Sequence, residues 1–320
     1  MYNVDFSSPD FRRIFEQKWY YSVELAPGFV TQGFEFDNII CTRELLSRLD
    51  PAGKDICDIG TMEGLLPVLL KRRGARSVVA IDAADLSERI ALVQHCYGQQ
   101  FEYYPKTSLS RIKDMLSERA RLSRYVGQQV IQPGFDVVVL SGVLYHVFSP
   151  IHVIGLVRTL LNPGGLLILE TAVSCEDRYS MNWVFDGRKY IYWSGTNTWF
   201  PTLRFLDHIL RYMKLKPIDC VHGQVGDDAT RVAIAAVAVP DPLPLKAEAE
   251  WFLPDNMFDY HEVVDMDWAR GGQVEIPYTA GQNIFHSELP GVVDLHKSVT
   301  KSRPFPTDRK KLTFHLQDQV

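Results

Sequence analysis

Two aspartates and two glycines early in the chain have the spacing of a nucleoside-binding crevice. Asp58 lies in a short apolar run, and Gly60 and Gly64 follow in the sequence GTMEG, where a helix is predicted to begin. Glycine at such a turn lets a ligand approach the backbone closely. Asp82 ends the next apolar run about 20 positions later, where an acid reaches a ribose hydroxyl in a doubly wound sheet. The same spacing also fits a generic strand–helix–strand unit without a ligand.

Met62 restricts the kind of nucleoside that this turn accepts. A dinucleotide fingerprint has glycine at that position, because the pyrophosphate approaches the backbone there. The methionine argues against NAD and FAD and favours a ligand without phosphate. The cofactor-binding set predicted from these two strands and the turn comprises Asp58, Gly60, Thr61, Gly64, Asp82 and Ala83.

The composition is ordinary for a globular protein and excludes several classes of partner. The 320 residues are 46% hydrophobic and 23% charged, with a formal net charge of −5. This charge lacks the basic bias that phosphate binding needs, so nucleic acid is not an expected partner. The five cysteines form no CxxC pair and no Cys/His cluster, which favours free thiols in the cytoplasm and argues against a metal site. No apolar run reaches the roughly 20 residues that span a bilayer.

Alternating apolar runs and helix-prone segments predict the sheet that positions these residues. We expect strands at 56–59, 78–81, 101–104, 135–140 and 166–170, with helices at 65–73, 87–97 and 151–161. A helix at 203–213 and two closing strands at 217–221 and 231–239 complete the pattern. Near-continuous apolar strands joined by helices indicate a parallel sheet with right-handed crossovers. The predicted fold class is therefore α/β, with a doubly wound, mostly parallel sheet.

Three regions follow from the composition. Residues 1–50 form an aromatic-rich N-terminal helical segment, a candidate lid, and residues 51–240 hold the alternating strands and helices. A proline-rich break then precedes a mixed C-terminal extension at 241–320. We expect this extension to be an arm or a small cap, and a candidate contact between the subunits of a homo-oligomer.

A second group of motifs resembles one family of enzymes. The run FDVVVLSGVLYH at 135–146 and the run NPGGLLILET at 162–171 are similar to motifs of the tRNA wobble-uridine carboxymethyltransferase family and its small-molecule relatives. These belong to the class I methyltransferases that use S-adenosylmethionine (SAM). The resemblance covers residues 15–240 and implies a Rossmann-like sheet of seven strands, SAM as cofactor, and Ser141 as a further cofactor-binding residue.

The founding enzyme of that family uses a carboxylated donor, carboxy-SAM, and three residues here match the types that bind its carboxylate. They are Lys18, Tyr145 and Arg231. A bidentate arginine is a good carboxylate partner, and lysine and tyrosine add donors. The segment GFEFDN, however, replaces a stretch that is rich in tryptophan and lysine in the family. Both SAM and carboxy-SAM therefore remain open as donors.

Methyl transfer from a sulfonium is an in-line displacement in which positioning does most of the work. A base is needed only where the acceptor loses a proton. The predicted catalytic residues are His146 and Tyr145. His146 is the candidate base, and Tyr145 is expected to form a wall of the cofactor pocket. The predicted acceptor-binding residues, whose aromatic and amide groups suit a flat or amphipathic small molecule, are Tyr20, Tyr192, Trp193, Asn197 and Trp199. The same aromatic residues also fit a hydrophobic plug.

These observations favour a SAM-dependent methyltransferase that acts on oxygen or nitrogen of a small-molecule acceptor. Two alternatives stay open. One is carboxymethyl transfer from carboxy-SAM to a tRNA wobble uridine. The other is a non-catalytic adenosine-binding subunit, which the long extension and the missing acid after the third strand suggest.

Overall fold

The structure is a computed structural model that describes residues 5–33, 40–112, 114, 134–174, 176, 178–183, 199–224, 229–239, 274–281 and 303–304. The strands are β1 Glu24–Ala26, β2 Phe29–Val30, β3 Asp55–Ile59, β4 Ser77–Ile81, β5 Glu102–Tyr104, β6 Phe135–Ser141, β7 Leu161–Ser174, β8 Met181–Trp183, β9 Trp199–Pro201, β10 Leu215–Gln224, β11 Ala229–Ala238 and β12 Arg303–Pro304. The helices are α1 Pro9–Phe15, α2 Ile40–Leu46, α3 Leu65–Arg72, α4 Ser87–Tyr97, α5 Pro150–Leu160 and α6 Leu203–Tyr212.

One mixed sheet dominates the fold, in the order β12-β10-β11-β7-β6-β3-β4-β5. The strands from β7 to β5 pair in parallel, and β11 and β10 close the sheet antiparallel. At the far edge, the two residues of β12 pair with β10. The doubly wound, mostly parallel α/β sheet predicted from the sequence is confirmed, with seven main strands.

Alternate residues of the central strands face two separate cores. Ile56 and Val137 belong to the core that α2, α3 and α4 cover, whereas their neighbours Cys57 and Val138 belong to the core that α5 and α6 cover. This alternation is the period of two that a strand imposes on its side chains. Since a packed core lies on each face of the sheet, β3 and β6 are buried at every residue. The central strands are thus held rigidly by packing on both sides.

The strand predicted at 166–170 is longer in the structure. β7 begins at Leu161, which pairs with Phe135 of β6, and continues to Ser174, because β11 pairs with it from Leu166 to Ser174. The sequence NPGG at 162–165 therefore lies within the first residues of the strand, and α5 ends at Leu160. Partners from distant parts of the chain set this length, which local pattern does not reveal.

A short piece of the extension docks on the main domain. The Thr279 amide donates to the Arg48 carbonyl at 3.1 Å, and the Tyr278 hydroxyl donates to the Asp219 carboxylate at 2.8 Å. The Lys54 ammonium donates to the Glu275 carbonyl at 2.7 Å. The domain boundaries at 50 and 240 stay predictions. Across the ranges that the structure describes, the helices are too short or too polar to span a bilayer.

Candidate active site

A cavity of about 350 Å³ lies at the carboxyl ends of β3, β4 and β6. β3 is flanked by β4 on one side and β6 on the other, so the strand order reverses at this point. Ligands of doubly wound sheets bind in the crevice at such a reversal. Eight residues predicted for the site line the cavity: Tyr20, Gly60, Asp82, Ala83, Ser141, Tyr145, His146 and Arg231.

The remaining predicted residues have other positions. Three of them, Asp58, Thr61 and Gly64, belong to β3 or to the turn beside the cavity and are not part of its wall. Lys18 is exposed, and Trp199 forms part of β9; neither lines the cavity. The predicted residues Tyr192, Trp193 and Asn197 lie outside the described residues.

The glycine turn is shaped by close contacts as well as by backbone conformation. Gly60 and Gly64 have φ angles of +81° and +76°, in the region that glycine adopts without strain. A Cβ atom on Gly60 would lie 2.3 Å from Cγ2 of Val143, and one on Gly64 would lie 2.8 Å from the Phe101 ring. A glycine is therefore needed at position 60 because the segment that follows β6 packs against it, whether or not a ligand is bound.

Asp82 is held in place by two backbone amides, one from the glycine turn and one from its own loop. Its Oδ2 accepts from the Met62 amide at 2.9 Å, and its Oδ1 accepts from the Ala84 amide at 2.8 Å. Burial raises the pKa of Asp82, while these backbone amides counteract the shift in part. A carboxylate oxygen has more than one acceptor position, so the fixed carboxylate can still accept from a ligand hydroxyl in the cavity.

Asp58 lies beneath the turn and is 1% exposed. Burial raises the pKa of Asp58 to about 7, with a further rise from the Asp82 charge and a partial decrease from the nearby Thr61 hydroxyl. Oδ2 of Asp58 and the Thr61 hydroxyl both lack a hydrogen-bond partner within the described part of the chain. The hydroxyl therefore lowers the pKa of Asp58 as a nearby dipole and not through a well-formed hydrogen bond. Buried polar atoms of this kind call for a partner, and a polar ligand group beside the turn would supply one.

The raised pKa of Asp58 predicts how stability changes with pH. Asp58 ionises near 7 in the folded protein and near 3.8 in the unfolded chain. Because the folded state holds this proton more tightly, the free energy of unfolding decreases as the pH rises from about 4 to about 7. Asp58→Asn removes the ionisation. We expect urea denaturation of the ligand-free protein at pH 5 and pH 8 to show a decrease smaller by roughly 2 kcal/mol in the variant than in the wild type.

Glu63 has a raised pKa as well, but the wild type and the variant both contain it, so its contribution cancels in the comparison. Asp82 raises the pKa of Asp58 and is affected by Asp58 in return, so the expected difference belongs to the coupled pair. Identical pH dependence in Asp58→Asn and the wild type would show that Asp58 ionises in the folded protein as it does in the unfolded chain.

A buried ion pair closes another side of the cavity. The Arg231 guanidinium donates to both carboxylate oxygens of Glu170, through Nε to Oε1 and through Nη2 to Oε2 at 2.5 Å. The same Nη2 donates to the Tyr145 hydroxyl at 3.3 Å. Arg231 is 1% exposed and Glu170 is fully buried. The arginine predicted to meet a ligand carboxylate is thus already paired with a carboxylate of the protein.

The two predicted catalytic residues lie side by side in one short helical turn, Leu144–His146. Their ring centroids are 4.3 Å apart. Tyr145 is buried, which raises its pKa to about 12, so its hydroxyl stays protonated at neutral pH and cannot serve as a base. His146 is exposed at the cavity wall, where its imidazole can exchange protons with an acceptor and with solvent.

Two buried carboxylates beside the cavity, Glu63 and Glu170, are not among the predicted site residues. The carboxylate of Glu63 is buried and accepts from the Tyr20 amide at 2.6 Å, which attaches the N-terminal wall of the cavity to the glycine turn. An acid inside a glycine turn and an acid ending a predicted strand were the available signals. No group of three or more His, Cys, Asp or Glu residues suited to a metal ion occurs in the described ranges.

The known proteins that this chain resembles include methyltransferases. A family model described as a methyltransferase domain matches residues 35–214, which is more than half of the chain. The N-terminal domain of EvdMO1, crystallised with S-adenosylhomocysteine (SAH) and D-fucose, matches with a TM-score of 0.54 and 16% identity, covering 74% of this chain and 98% of that one. The chain therefore belongs to the methyltransferase family and has the class I fold of the SAM-dependent enzymes.

Two curated relatives indicate different acceptors. The ubiquinone biosynthesis O-methyltransferase of Ruegeria pomeroyi is 31% identical over 190 residues, which cover 58% of this chain and 67% of that protein. The tRNA U34 carboxymethyltransferase of Idiomarina loihiensis is 26% identical over 188 residues, 57% of this chain and 52% of that protein. The chain spans about half the length of the first curated relatives it matches.

Proposed function

We propose that this protein transfers the methyl group of SAM to an oxygen or nitrogen atom of a small-molecule acceptor. The observation that carries the proposal is the Asp82 carboxylate, which two backbone amides hold at the wall of a cavity where the strand order reverses. A fixed acid at this position suits the two hydroxyls of a ribose.

The residues around the turn also fit the remainder of this cofactor. Asp58 and Thr61 offer buried polar atoms that lack partners in the described residues, and a carboxylate suits the ammonium group of the methionine moiety. The left-handed turn at Gly60 leaves no side chain between the backbone and the cavity. SAM, when bound, would supply a methyl group to an acceptor lone pair that attacks the methyl carbon in line, with SAH as the leaving group.

The chain itself contributes position and a proton acceptor. Tyr145 and Ser141 form walls of the cavity, and Ser141 is held by a hydroxyl–hydroxyl hydrogen bond of 2.7 Å to Thr42. His146 takes up the proton that an O–H or N–H acceptor releases. Placing the acceptor within reach of the methyl carbon supplies most of the rate, since orientation contributes up to about 7–11 kcal/mol.

A cluster of aromatic side chains close to His146 in the fold, Phe148, Trp183 and Trp199, supports the proposal of a small, flat acceptor. The Trp199 indole donates to the Phe148 carbonyl at 2.9 Å, and its ring lies 4.6 Å from that of Trp183, edge to face. Phe148 is 82% exposed and follows the cavity residue Val147 directly. Trp199 therefore stays in the proposed acceptor-binding set, together with Tyr20 of the cavity wall.

Carboxymethyl transfer to tRNA is the second candidate, which the Idiomarina relative supports. The formal net charge of −5 speaks against a tRNA partner.

We also propose a cytoplasmic location, which the free thiols of Cys41, Cys57, Cys96 and Cys220 support, and subunit contacts through the extension. Methyl transfer by the isolated chain would rule out a purely adenosine-binding role.

Asp82→Ala tests the proposed function directly. Loss of two charged hydrogen bonds to the ribose, with release of the Met62 amide, is expected to weaken SAH binding by about 100-fold in calorimetry. The matched control is Asp85→Ala, since Asp85 is an exposed acid three residues later that bonds to Ser87 and Lys106. We expect the control to bind SAH as the wild type does. Unchanged affinity in Asp82→Ala, with the fold intact by circular dichroism, would contradict the proposal.

A further inference from the structure

One wall of the cavity comes from a segment that precedes the large sheet in the chain. Tyr20 and Tyr21 line the cavity, and their rings contact each other edge to face, with centroids 4.8 Å apart. Neither residue lies in one of the strands of the large sheet described above. The position of this wall, which we call the Tyr20–Tyr21 wall, therefore depends on contacts from outside the sheet ladder.

The glycine turn supplies such a contact. Glu63 is fully buried, and its Oε1 accepts from the Tyr20 amide at 2.6 Å. The bond joins a carboxylate to a backbone donor away from water, where hydrogen bonds of this kind are short and strong. Because the two residues are 43 positions apart along the chain, the bond ties together two separate pieces of the protein around the cavity.

The same turn also holds the proposed ribose acid. The Met62 amide, next to Glu63, donates to Oδ2 of Asp82 at 2.9 Å. Met62 has a φ of +48°, a left-handed conformation that a residue with a side chain keeps only where its surroundings hold it. Bonds at two successive residues therefore fix the turn, one to the ribose acid and one to the Tyr20–Tyr21 wall.

Arg89 of α4 secures the same junction. Its Nη1 lies 3.4 Å from Oε1 of Glu63, and its Nε donates to the Gln17 side chain at 3.2 Å. Its guanidinium lies over the Trp19 ring, 5.9 Å from the centroid, an attractive arrangement of a cation on an aromatic face. One arginine thus contacts both Glu63 and the residues that lead to Tyr20.

A ligand in the cavity would contact both ends of this connection. Asp82 borders the cavity after β4, and Tyr20 and Tyr21 border it from the N-terminal segment. Movement of the Tyr20–Tyr21 wall away from the turn would open the cavity to solvent. The bond from Glu63 opposes that movement, so it is expected to affect how long a ligand stays more than how fast the ligand arrives.

We infer that Glu63 is a positioning residue that keeps the Tyr20–Tyr21 wall closed over the bound cofactor and thereby slows its release. The inference rests on the proposed function. Glu63 does not line the cavity, so its effect passes through the Tyr20 amide, and the rate of SAH release reports on it.

Glu63→Ala tests this role in stopped-flow measurements of SAH binding and release. We expect SAH to dissociate at least about 10-fold faster than from the wild type, because a charged hydrogen bond is lost. The association rate constant is expected to stay within about 2-fold. The matched control is Glu88→Ala. Glu88 also bonds to the N-terminal segment, through Arg13 and Gln17, but it belongs to α4 and is about half exposed. We expect the control to release SAH as the wild type does.

Two further measurements separate positioning from a loss of folding. Glu63→Gln keeps an oxygen acceptor for the Tyr20 amide, so we expect it to release SAH at a rate between those of the wild type and Glu63→Ala. At saturating SAH, trypsin is expected to cleave Glu63→Ala faster after Lys18, which is exposed, and elsewhere as in the wild type. Equally faster cleavage along the whole chain would show that Glu63 acts on global stability, and would overturn the inference.

Arg89→Met serves where Glu63→Ala does not fold. It removes the cation beside Glu63 and is expected to speed SAH release by about 3-fold or more. Unchanged SAH release in the folded variants, or slower association with unchanged release, would overturn the inference and leave the proposed function intact. Failure of the wild type to bind both SAM and SAH would instead refute the proposed function, and the inference with it.

Discussion

Gly60→Ala is expected to weaken SAH binding by at least about 100-fold. The added Cβ would lie 2.3 Å from Cγ2 of Val143, and the backbone φ of +81° disfavours any side chain. Relief requires the turn to move away from the segment after β6, which deforms the wall that carries Gly60 and Met62. Overpacking costs about 1–3 kcal/mol and the left-handed conformation about 1–2 kcal/mol. Together these correspond to the expected loss if the strain is released in the ligand-free protein.

Gly53→Ala separates the two causes. Gly53 has a φ of +70°, but a Cβ there meets nothing within 4 Å, and the residue is exposed in the turn before β3. We expect this control to lose about 1–2 kcal/mol of stability and to bind SAH as the wild type does. Normal SAH binding by Gly60→Ala in calorimetry would show that the contact with Val143 does not constrain the site.

Arg48→Met is expected to decrease the free energy of unfolding by about 3–5 kcal/mol. Arg48 is 1% exposed and pairs with two fully buried carboxylates, Glu44 at 2.8 Å and Asp219 at 3.0 Å. Without the guanidinium, both charges remain in the interior without a cation opposite them. Asp219 also accepts from the Tyr278 hydroxyl and the Gly281 amide, so the docked piece of the extension is expected to loosen as well. Urea denaturation measures the loss.

Arg13→Met is the matched control for burial. Arg13 makes a bidentate pair with Glu88 at 2.7 and 2.8 Å, distances as short as those in the pairs of Arg48. The side chains of Arg13 and Glu88 are, however, both about half exposed. Water and salt replace such a pair readily, so we expect no resolvable loss of stability. Equal losses in the two variants would show that burial does not decide the strength of these pairs.

The position of Asp82 relative to Gly60 was predictable because it depends on a continuous piece of chain. A strand, a turn, a helix and a parallel strand bring both strand ends to one edge of the sheet, whatever the rest of the protein does. The exclusion of a dinucleotide by Met62 rests on the same local geometry. The order of elements was also predictable, since near-continuous apolar runs of strand length alternate with longer helix-prone segments.

The buried ion pairs of the protein were not predictable in this way. Arg231 pairs with Glu170, 61 positions away along the chain, and Arg48 pairs with Asp219, 171 positions away. The register between β7 and β11 decides the first pair, and a shift of one residue would turn one side chain to the opposite face. Lys18, predicted beside the donor, is exposed and outside the cavity wall.

The proposed nucleoside half of the site, Asp58, Gly60 and Asp82, could be predicted from local pattern, because neighbouring elements of one strand–helix–strand unit position it. The surroundings of the proposed reacting group became visible only in the folded protein. There the side chains come from strands far apart in the chain, and their pairing depends on sheet register and burial, which no local pattern encodes.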